Sequence, residues 1–115
     1  MKKIYHLATC NTCQKIINQL TVDEQTILQN IKEESITKEQ LEEMKSMAGS
    51  YEALFSRRAM KYRSMGLNEM TLGEEDYKRY IMEEYTFLKR PVMISGEHIF
   101  IGNSKKVVAA AVADF

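Results

Sequence analysis

Residues 4–20 read IYHLATCNTCQKIINQL, and this stretch decides the fold. Its first four residues are short and apolar, as a buried strand would be. From Cys13 onward, apolar residues recur at positions 16, 17 and 20, which is the i, i+3, i+4, i+7 pattern of one helix face. The pattern predicts a strand that leads directly into a helix at about 13–20, with Cys10 at the helix N-terminus.

Cys10 and Cys13 form a Cys-x-x-Cys motif at this turn. Unpaired backbone N–H groups and the positive end of the dipole stabilise an anion at a helix N-terminus, and a thiolate is such an anion. There the pKa of a cysteine falls from about 8.5 to roughly 3.5 to 7.5. We therefore predict that Cys10 is a nucleophile and that Cys13 closes a disulfide with it. His6 is a candidate for stabilising the thiolate electrostatically.

Other interpretations of these residues stay open. A zinc site is disfavoured because the chain has no second cysteine pair and only one further histidine, His98, so we predict no metal. Free cysteines also pack as small, inert apolar residues. His6 is as well suited to a structural hydrogen bond on the strand as to catalysis.

The overall composition restricts the class of partner. With 115 residues, the chain is long enough for one domain with its own core. Its 16 basic and 16 acidic residues cancel, so no overall field attracts nucleic acid or a membrane. No segment resembles a membrane span or a signal peptide. We expect a cytoplasmic protein. In that compartment a cysteine pair is more often catalytic or redox-sensing than a structural disulfide.

Three more strands are predicted along the chain. Residues 24–31 form a short second strand, parallel to the first because a helix connects the two. Pro91, the only proline, starts the third strand, because proline has no N–H to donate inside one. Residues 92–94 and 99–101 then pair as a hairpin around Ser95-Gly96-Glu97.

The middle of the chain is predicted to be helical. The patterns Thr37-x-x-Gln40 and Thr71-x-x-Glu74 are capping boxes, each followed by apolar residues at helical spacing. We expect a helical insertion at about 37–86. In its second main helix, the residues predicted to face the core are Tyr77, Tyr80, Ile81 and Tyr85.

A final helix should follow Ser104, with Val107, Val108, Ala111 and Val112 facing inward.

Two compositional features of the middle segment have more than one interpretation. We expect the eight methionines to fill the core, because Met44, Met47 and Met82 lie on the periodic faces. The alternatives are an apolar groove that binds varied partners and a copper site. Residues 56–63 are the most basic stretch. They form either a solvated face or a surface that binds an anion or a partner.

Over nearly its whole length the chain resembles the ArsC/Spx family of arsenate reductase-like proteins. The resemblance rests on His6-Leu7-Ala8-Thr9-Cys10, on Ser56-Arg57-Arg58 with Tyr62 and Gly66-Leu67, and on Leu88-Lys89-Arg90-Pro91-Val92 with Ile101-Gly102. It implies an α/β fold: a thioredoxin-like mixed sheet of about four strands flanked by helices, with a helical insertion between strands two and three.

The resemblance also implies site residues. In the family the proline is cis and packs beside the active-site cysteine, and the neighbouring arginine points at the bound oxyanion. Those roles fall on Pro91 and Arg90. Asn11 and Thr12, between the cysteines, complete this part of the candidate substrate site.

The chain departs from the family's arsenate reductases at several positions. Those enzymes use three arginines for the oxyanion. The second of these arginines corresponds to Arg57 or, one residue earlier, to Ser56. The third corresponds to about Asn103, which has no guanidinium group to bind an oxyanion through two hydrogen bonds. Cys13 replaces a residue that is usually serine.

The leading interpretation is a thiol-disulfide oxidoreductase that acts on a small oxyanion or a thiol/disulfide substrate. Cys10 attacks, Cys13 resolves, and glutathione, glutaredoxin or thioredoxin restores the dithiol, with no bound cofactor. The alternative is an Spx-like redox-sensing regulator, which the Cys-x-x-Cys form also resembles. Its partner would be the RNA polymerase alpha subunit.

Overall fold

The computed structural model describes residues 1–115. Its helices and strands are β1 (Lys2–His6), α1 (Asn11–Gln19), β2 (Ile27–Asn30), α2 (Lys38–Ala48), α3 (Met60–Ser64), α4 (Glu74–Glu83), β3 (Val92–Ser95), β4 (His98–Ile101) and α5 (Lys105–Asp114). Short 3-10 turns lie at Glu52–Leu54, Leu67–Glu69 and Tyr85–Phe87. None of the helices combines the length and apolar character that a membrane span requires.

The chain divides into two compact units. The first consists of Met1–Ser35 and Arg90–Phe115, and the second is Ile36–Lys89. The helical segment predicted at about 37–86 falls within the second unit.

The first unit contains a mixed four-stranded sheet in the order β2-β1-β3-β4. β1 runs parallel to β2 and antiparallel to β3, and β3 pairs with β4 in a hairpin. This confirms the predicted α/β fold with a mixed sheet flanked by helices. The parallel pair follows from the helix that joins β1 to β2, because a parallel connection must return to the same end of the sheet.

The core of the first unit lies between the sheet and its helices. Its buried members come from β1, α1, the residue that follows α1, β3 and α5, and they are Ile4, Ile16, Leu20, Met93 and Ala111. Burial of the isoleucine, leucine and methionine side chains among them contributes about 1.5 to 3 kcal/mol each. The stripe predicted from the sequence therefore fixes how α1 packs.

β2 is shorter than the predicted 24–31 because the preceding residues form a side-chain turn. The Asp23 carboxylate accepts the N–H groups of Gln25 and Thr26 at 2.9 and 3.0 Å, which delays the strand to Ile27. Ile27 and Leu28 are exposed because β2 is an edge strand.

The second unit packs around an aromatic cluster centred on Phe55. This ring stacks on Phe87 at 5.1 Å between centroids and also contacts Tyr77 at 4.9 Å and Tyr62 at 5.9 Å. Phe55 also forms an antiparallel bridge with Leu88. The cluster thereby joins the segment before α3 to α4 and to the segment that follows α4.

One of the two predicted capping boxes is confirmed and the other is wrong. Thr37 Oγ1 accepts the Gln40 N–H at 3.1 Å, and the Gln40 side chain accepts the Thr37 N–H at 3.0 Å. α4 instead begins after Gly73, whose N–H donates to Asp76. Glu74 is used elsewhere, since its carboxylate accepts the N–H groups of residues 51 and 52 at 2.7 and 3.0 Å.

The expectation that the methionines fill the core is wrong for most of them. Met44 and Met93 are fully buried, but five others are exposed: Met1, Met60, Met65, Met70 and Met82. Periodicity placed Met82 on the inner face of α4, and the structure places it on the outer one.

The inward faces of α4 and α5 are narrower than predicted. Tyr77 and Ile81 are buried, whereas Tyr80 and Tyr85 are only half-buried. In α5, Ala111 is buried, but Val112 is exposed because it lies beyond the stripe that faces the sheet.

Replacing Thr37 by Ala should lower the free energy of unfolding by about 1 kcal/mol, because the N–H of Gln40 loses its acceptor. Chemical denaturation monitored by circular dichroism measures this. Thr21→Ala, an exposed threonine outside any helix, is the matched control. Equal stability of the two variants would contradict the capping role.

Candidate active site

Cys10 lies at the turn where β1 gives way to α1. It is the N-cap of α1, with an extended backbone at φ −90° and ψ 110°. Its N–H donates to the Leu7 carbonyl at 2.9 Å, and its own carbonyl accepts the Gln14 N–H at 3.2 Å. The sulfur therefore stands at the positive end of the helix dipole, as the sequence predicted.

Several neighbours act on the pKa of Cys10. Burial alone would raise it. The backbone N–H and the thiol of Cys13 act in the opposite direction, as do the N–H of Thr12 and the positive charge of Arg90. The combined effect lowers the pKa of Cys10 below the ordinary value of a cysteine. Cys10 is only half-buried, so its thiolate is accessible.

Cys13 differs from Cys10 in both its burial and the direction of its pKa shift. It is completely buried, and this burial raises its pKa to about 11, helped by the neighbouring Cys10 sulfur. Cys13 therefore stays protonated at neutral pH and donates its proton toward the Cys10 thiolate. Both cysteines are reduced in this structure. The pair combines one accessible thiolate with one buried proton donor.

Arg90 and Pro91 lie at the entrance to β3. The charge of Arg90 acts to lower the pKa of both cysteines, which places its guanidinium in electrostatic range of the dithiol. The Arg90–Pro91 peptide bond is cis, as the resemblance implied. Pro91 is buried, and its carbonyl accepts the Gly102 N–H at 2.9 Å, which holds this segment against the end of β4.

His6 is held by a residue that the sequence did not single out. The Gln14 side-chain nitrogen lies 3.4 Å from His6 Nδ1 and 3.5 Å from the Leu7 carbonyl oxygen. Burial lowers the pKa of His6, which favours the neutral ring. The catalytic role predicted for His6 stays a prediction.

Gln14 left little signal in the sequence, since polar residues are common at exposed positions in the first turn of a helix. The one sequence feature that could have indicated Gln14 is its position directly after the Cys-x-x-Cys motif. Its partial burial is visible only in the structure.

The other predicted substrate residues are exposed side chains, and they are divided between the two units. Asn11 and Thr12 are exposed at the first turn of α1, and Asn103 is exposed before α5. Arg57 belongs to the second unit, where its Nη2 lies 2.7 Å from Glu52 Oε2 and 3.0 Å from the Tyr77 hydroxyl. An oxyanion at Arg57 would have to share the guanidinium with Glu52.

No group of three or more histidine, cysteine, aspartate or glutamate side chains is placed to hold a metal ion.

A mixed four-stranded sheet with helices on its flanks and a dithiol at the first strand-to-helix turn is a thioredoxin-like architecture. The model of the ArsC family matches residues 5–111, and the chain belongs to this family.

Several solved structures share the fold of this chain. A protein titled YffB superposes with a TM-score of 0.80 at 21% identity, covering 97% of this chain and 99% of its own. An arsenate reductase from Vibrio cholerae superposes with a TM-score of 0.74 at 16% identity, covering 99% and 97%. An arsenate reductase (ArsC) related protein from Brucella melitensis superposes with a TM-score of 0.72 at 18% identity, covering 95% and 92%. At these identities the likeness shows the fold. No curated protein matches the sequence.

Replacing Cys13 by Ala, or Arg90 by Met, should raise the pKa of Cys10, because each change removes a group that favours the thiolate. Titration of the ultraviolet thiolate absorbance against pH measures the shift. Arg79→Met, which removes an exposed arginine paired with Asp76, is the control for charge. An unchanged Cys10 pKa in both test variants would contradict the described site.

Iodoacetamide at neutral pH should alkylate Cys10 and leave Cys13 unmodified, since only the thiolate reacts and only Cys10 is accessible. Peptide mass spectrometry after a limited reaction distinguishes the two sites. Labelling of Cys13 should appear only when the chain is unfolded in denaturant. Comparable labelling of both cysteines in the folded protein would contradict the assignment.

Proposed function

We propose that this ArsC-family protein is a thiol-disulfide oxidoreductase with Cys10 as the nucleophile and Cys13 as the resolving cysteine. One observation carries the proposal: an accessible thiol of lowered pKa stands at the N-terminus of α1, beside a buried thiol that stays protonated. Disulfide exchange begins with attack by a thiolate and is completed by a second sulfur that lies next to the mixed disulfide.

In the first step the Cys10 thiolate attacks one sulfur of a disulfide substrate. The Cys10–substrate bond forms, the substrate's S–S bond breaks, and the leaving thiolate takes a proton from solvent. In the second step the Cys13 sulfur attacks the Cys10 sulfur. The Cys10–Cys13 disulfide forms, and the second substrate thiol departs with the proton that Cys13 gives up. The dithiol has then delivered two electrons.

A second thiol system must restore the dithiol. The family association supports thiol-based redox partners, and we propose glutathione, glutaredoxin or thioredoxin as the reductant in the cytoplasm. No bound cofactor is needed, because the electrons pass between sulfur atoms.

The charges around the thiol favour an anionic substrate. Arg90 is the cation that acts on Cys10, and we assign it to a substrate carboxylate or oxyanion, with Pro91, Asn11 and Thr12 beside it. Asn103 contributes no charge at the family's third arginine position, and a lost charge-assisted contact weakens oxyanion binding by about 1.5 to 3 kcal/mol. We therefore place carboxylate-bearing disulfides, such as glutathione disulfide, ahead of arsenate. With glutathione disulfide as the substrate the reductant must be thioredoxin, because glutathione, or a glutaredoxin that glutathione reduces, would return the same electrons.

The same dithiol supports an Spx-like regulator as the second candidate. There the Cys10–Cys13 disulfide would change a surface that binds the RNA polymerase alpha subunit, and no substrate would turn over. Cys13, a residue that is usually serine in the family's arsenate reductases, is the feature that favours this candidate.

Cys10→Ser should abolish turnover of glutathione disulfide, whereas Cys13→Ser should trap a mixed disulfide between Cys10 and glutathione. The trap forms because the resolving sulfur is gone while the nucleophile remains. A coupled assay measures turnover, and intact-protein mass spectrometry detects the adduct. Thr9→Ser, an exposed neighbour in the same turn, is the control.

Full turnover by Cys10→Ser would refute the proposed mechanism. If the native protein forms the Cys10–Cys13 disulfide but turns over neither glutathione disulfide nor arsenate, a pull-down with the polymerase alpha subunit in both oxidation states becomes the deciding experiment. Binding in one state alone would favour the regulator.

A further inference from the structure

An exposed surface of the second unit is rich in arginine and methionine. Met60 is 90% exposed, Met65 48% and Met70 53%, and Arg58 and Arg63 are also exposed. We call these five residues the Arg/Met surface. They lie within a short segment that includes α3 and the 3-10 turn after it.

The geometry of α3 turns part of this surface outward. Tyr62 packs inward on Phe55, with ring centroids 5.9 Å apart. Met60 lies two residues before Tyr62 and therefore on the opposite face of the helix, and Arg63, three residues after Met60, is its neighbour on the helix surface. α3 has no fully buried residue. Its outer face is therefore maintained without any contribution to the core.

The two arginines of the surface differ from the neighbouring cations. Arg57 pairs with Glu52 at 2.7 Å, Lys61 pairs with Glu84 at 2.6 Å, and Arg79 pairs with Asp76 at 3.5 Å.

Arg58 and Arg63 make no ion pair with a carboxylate of this chain. Two guanidinium groups are thus left beside exposed apolar thioethers.

This combination is typical of a protein interface. Methionine and arginine are enriched at interfaces relative to other surfaces, and flexible thioethers adapt to varied apolar partners. A guanidinium binds a carboxylate through two parallel hydrogen bonds, which gives both affinity and orientation.

We propose that the Arg/Met surface is a docking site for a protein segment that presents carboxylates and apolar side chains on one face. This proposal concerns the second unit and does not depend on the chemistry of the dithiol.

A second copy of this chain and an anionic lipid bilayer fit the charges of the Arg/Met surface less well. A second copy docked through the same surface in a twofold contact would bring Arg58 and Arg63 against their own equivalents, so like charges would meet. An anionic lipid bilayer is a plane of negative charge, and exposed Glu69 lies between Met65 and Met70 in the chain. A discrete acidic segment can instead place its carboxylates only where the arginines are.

Selection from a displayed library of random peptides of about 16 residues, enough for roughly four helical turns, tests the proposal. The bait is the full chain, with counter-selection against a triple variant that carries Arg58→Gln, Met60→Ser and Arg63→Gln. We expect the enriched peptides to combine Asp or Glu with Leu, Ile or Phe. Enrichment of basic or uncharged peptides, or of none at all, would overturn the proposal.

Affinity measurements on the most enriched peptide provide the quantitative test. Fluorescence anisotropy should show binding at least about tenfold weaker for the triple variant than for the native chain. The matched control combines Arg79→Gln with Val112→Ser, one exposed arginine and one exposed apolar residue from other helices. Circular dichroism verifies that both variants are folded. Equal losses in the two variants would overturn the proposal.

Two further measurements address the other occupants and the link to the dithiol. Tighter binding of the native chain to phosphatidylglycerol vesicles than to the peptide would assign the surface to lipid. A dimer in sedimentation that the triple variant loses would assign it to a second copy. Either result overturns the proposal. Cys10→Ser should bind the peptide normally, so that failure of the redox mechanism leaves this result unaffected.

Discussion

The Cys10 N–H donates to the Leu7 carbonyl, and this hydrogen bond closes the turn on which the first unit depends. It ends β1 and places Cys10 as the N-cap of α1, so the sulfur faces the N–H groups of the first helical turn. The Gln14 side chain approaches the same carbonyl and also His6, which ties the turn to the end of the strand. The buried stripe of α1 then fixes the helix against the sheet. The chemistry of the dithiol follows from a backbone arrangement that the core holds in place.

Much of this arrangement was predictable because it rests on local patterns. The strand-to-helix order follows from a change in apolar period within one short stretch, and the position of Cys10 at the helix N-terminus follows from the same change. The high pKa of Cys13 was not predictable, because it depends on burial by residues distant in sequence. The environment of His6 was also missed. Its partner Gln14 becomes significant only once the ring direction is known, and no periodicity encodes that direction.

In the second unit, some contacts in the structure differ from those that the local sequence pattern predicts. Glu74 has the right spacing for a capping box with Thr71, yet its carboxylate accepts N–H groups at the start of another turn. That long-range contact outcompetes the local one because it satisfies two backbone donors at once. The prediction that the methionines fill the core is wrong for a related reason. Periodicity assigns a face to a residue but cannot reveal that α3 packs Tyr62 against Phe55 and leaves Met60 in solvent.

Under the proposed function, the complete burial of Cys13 has a kinetic consequence. Only the Cys10 sulfur can be reached from outside, so an oxidant and the reductant that follows it must use the same atom in turn. A catalytic cycle of this kind is ping-pong, with one covalent adduct at the same sulfur in each half-reaction. The oxidant reacts only with the reduced pair and the reductant only with the oxidised pair, so each half-reaction depends on completion of the other. The rate of the cycle would be set by the ratio of the two pools, and the protein would respond to redox balance as well as to substrate concentration.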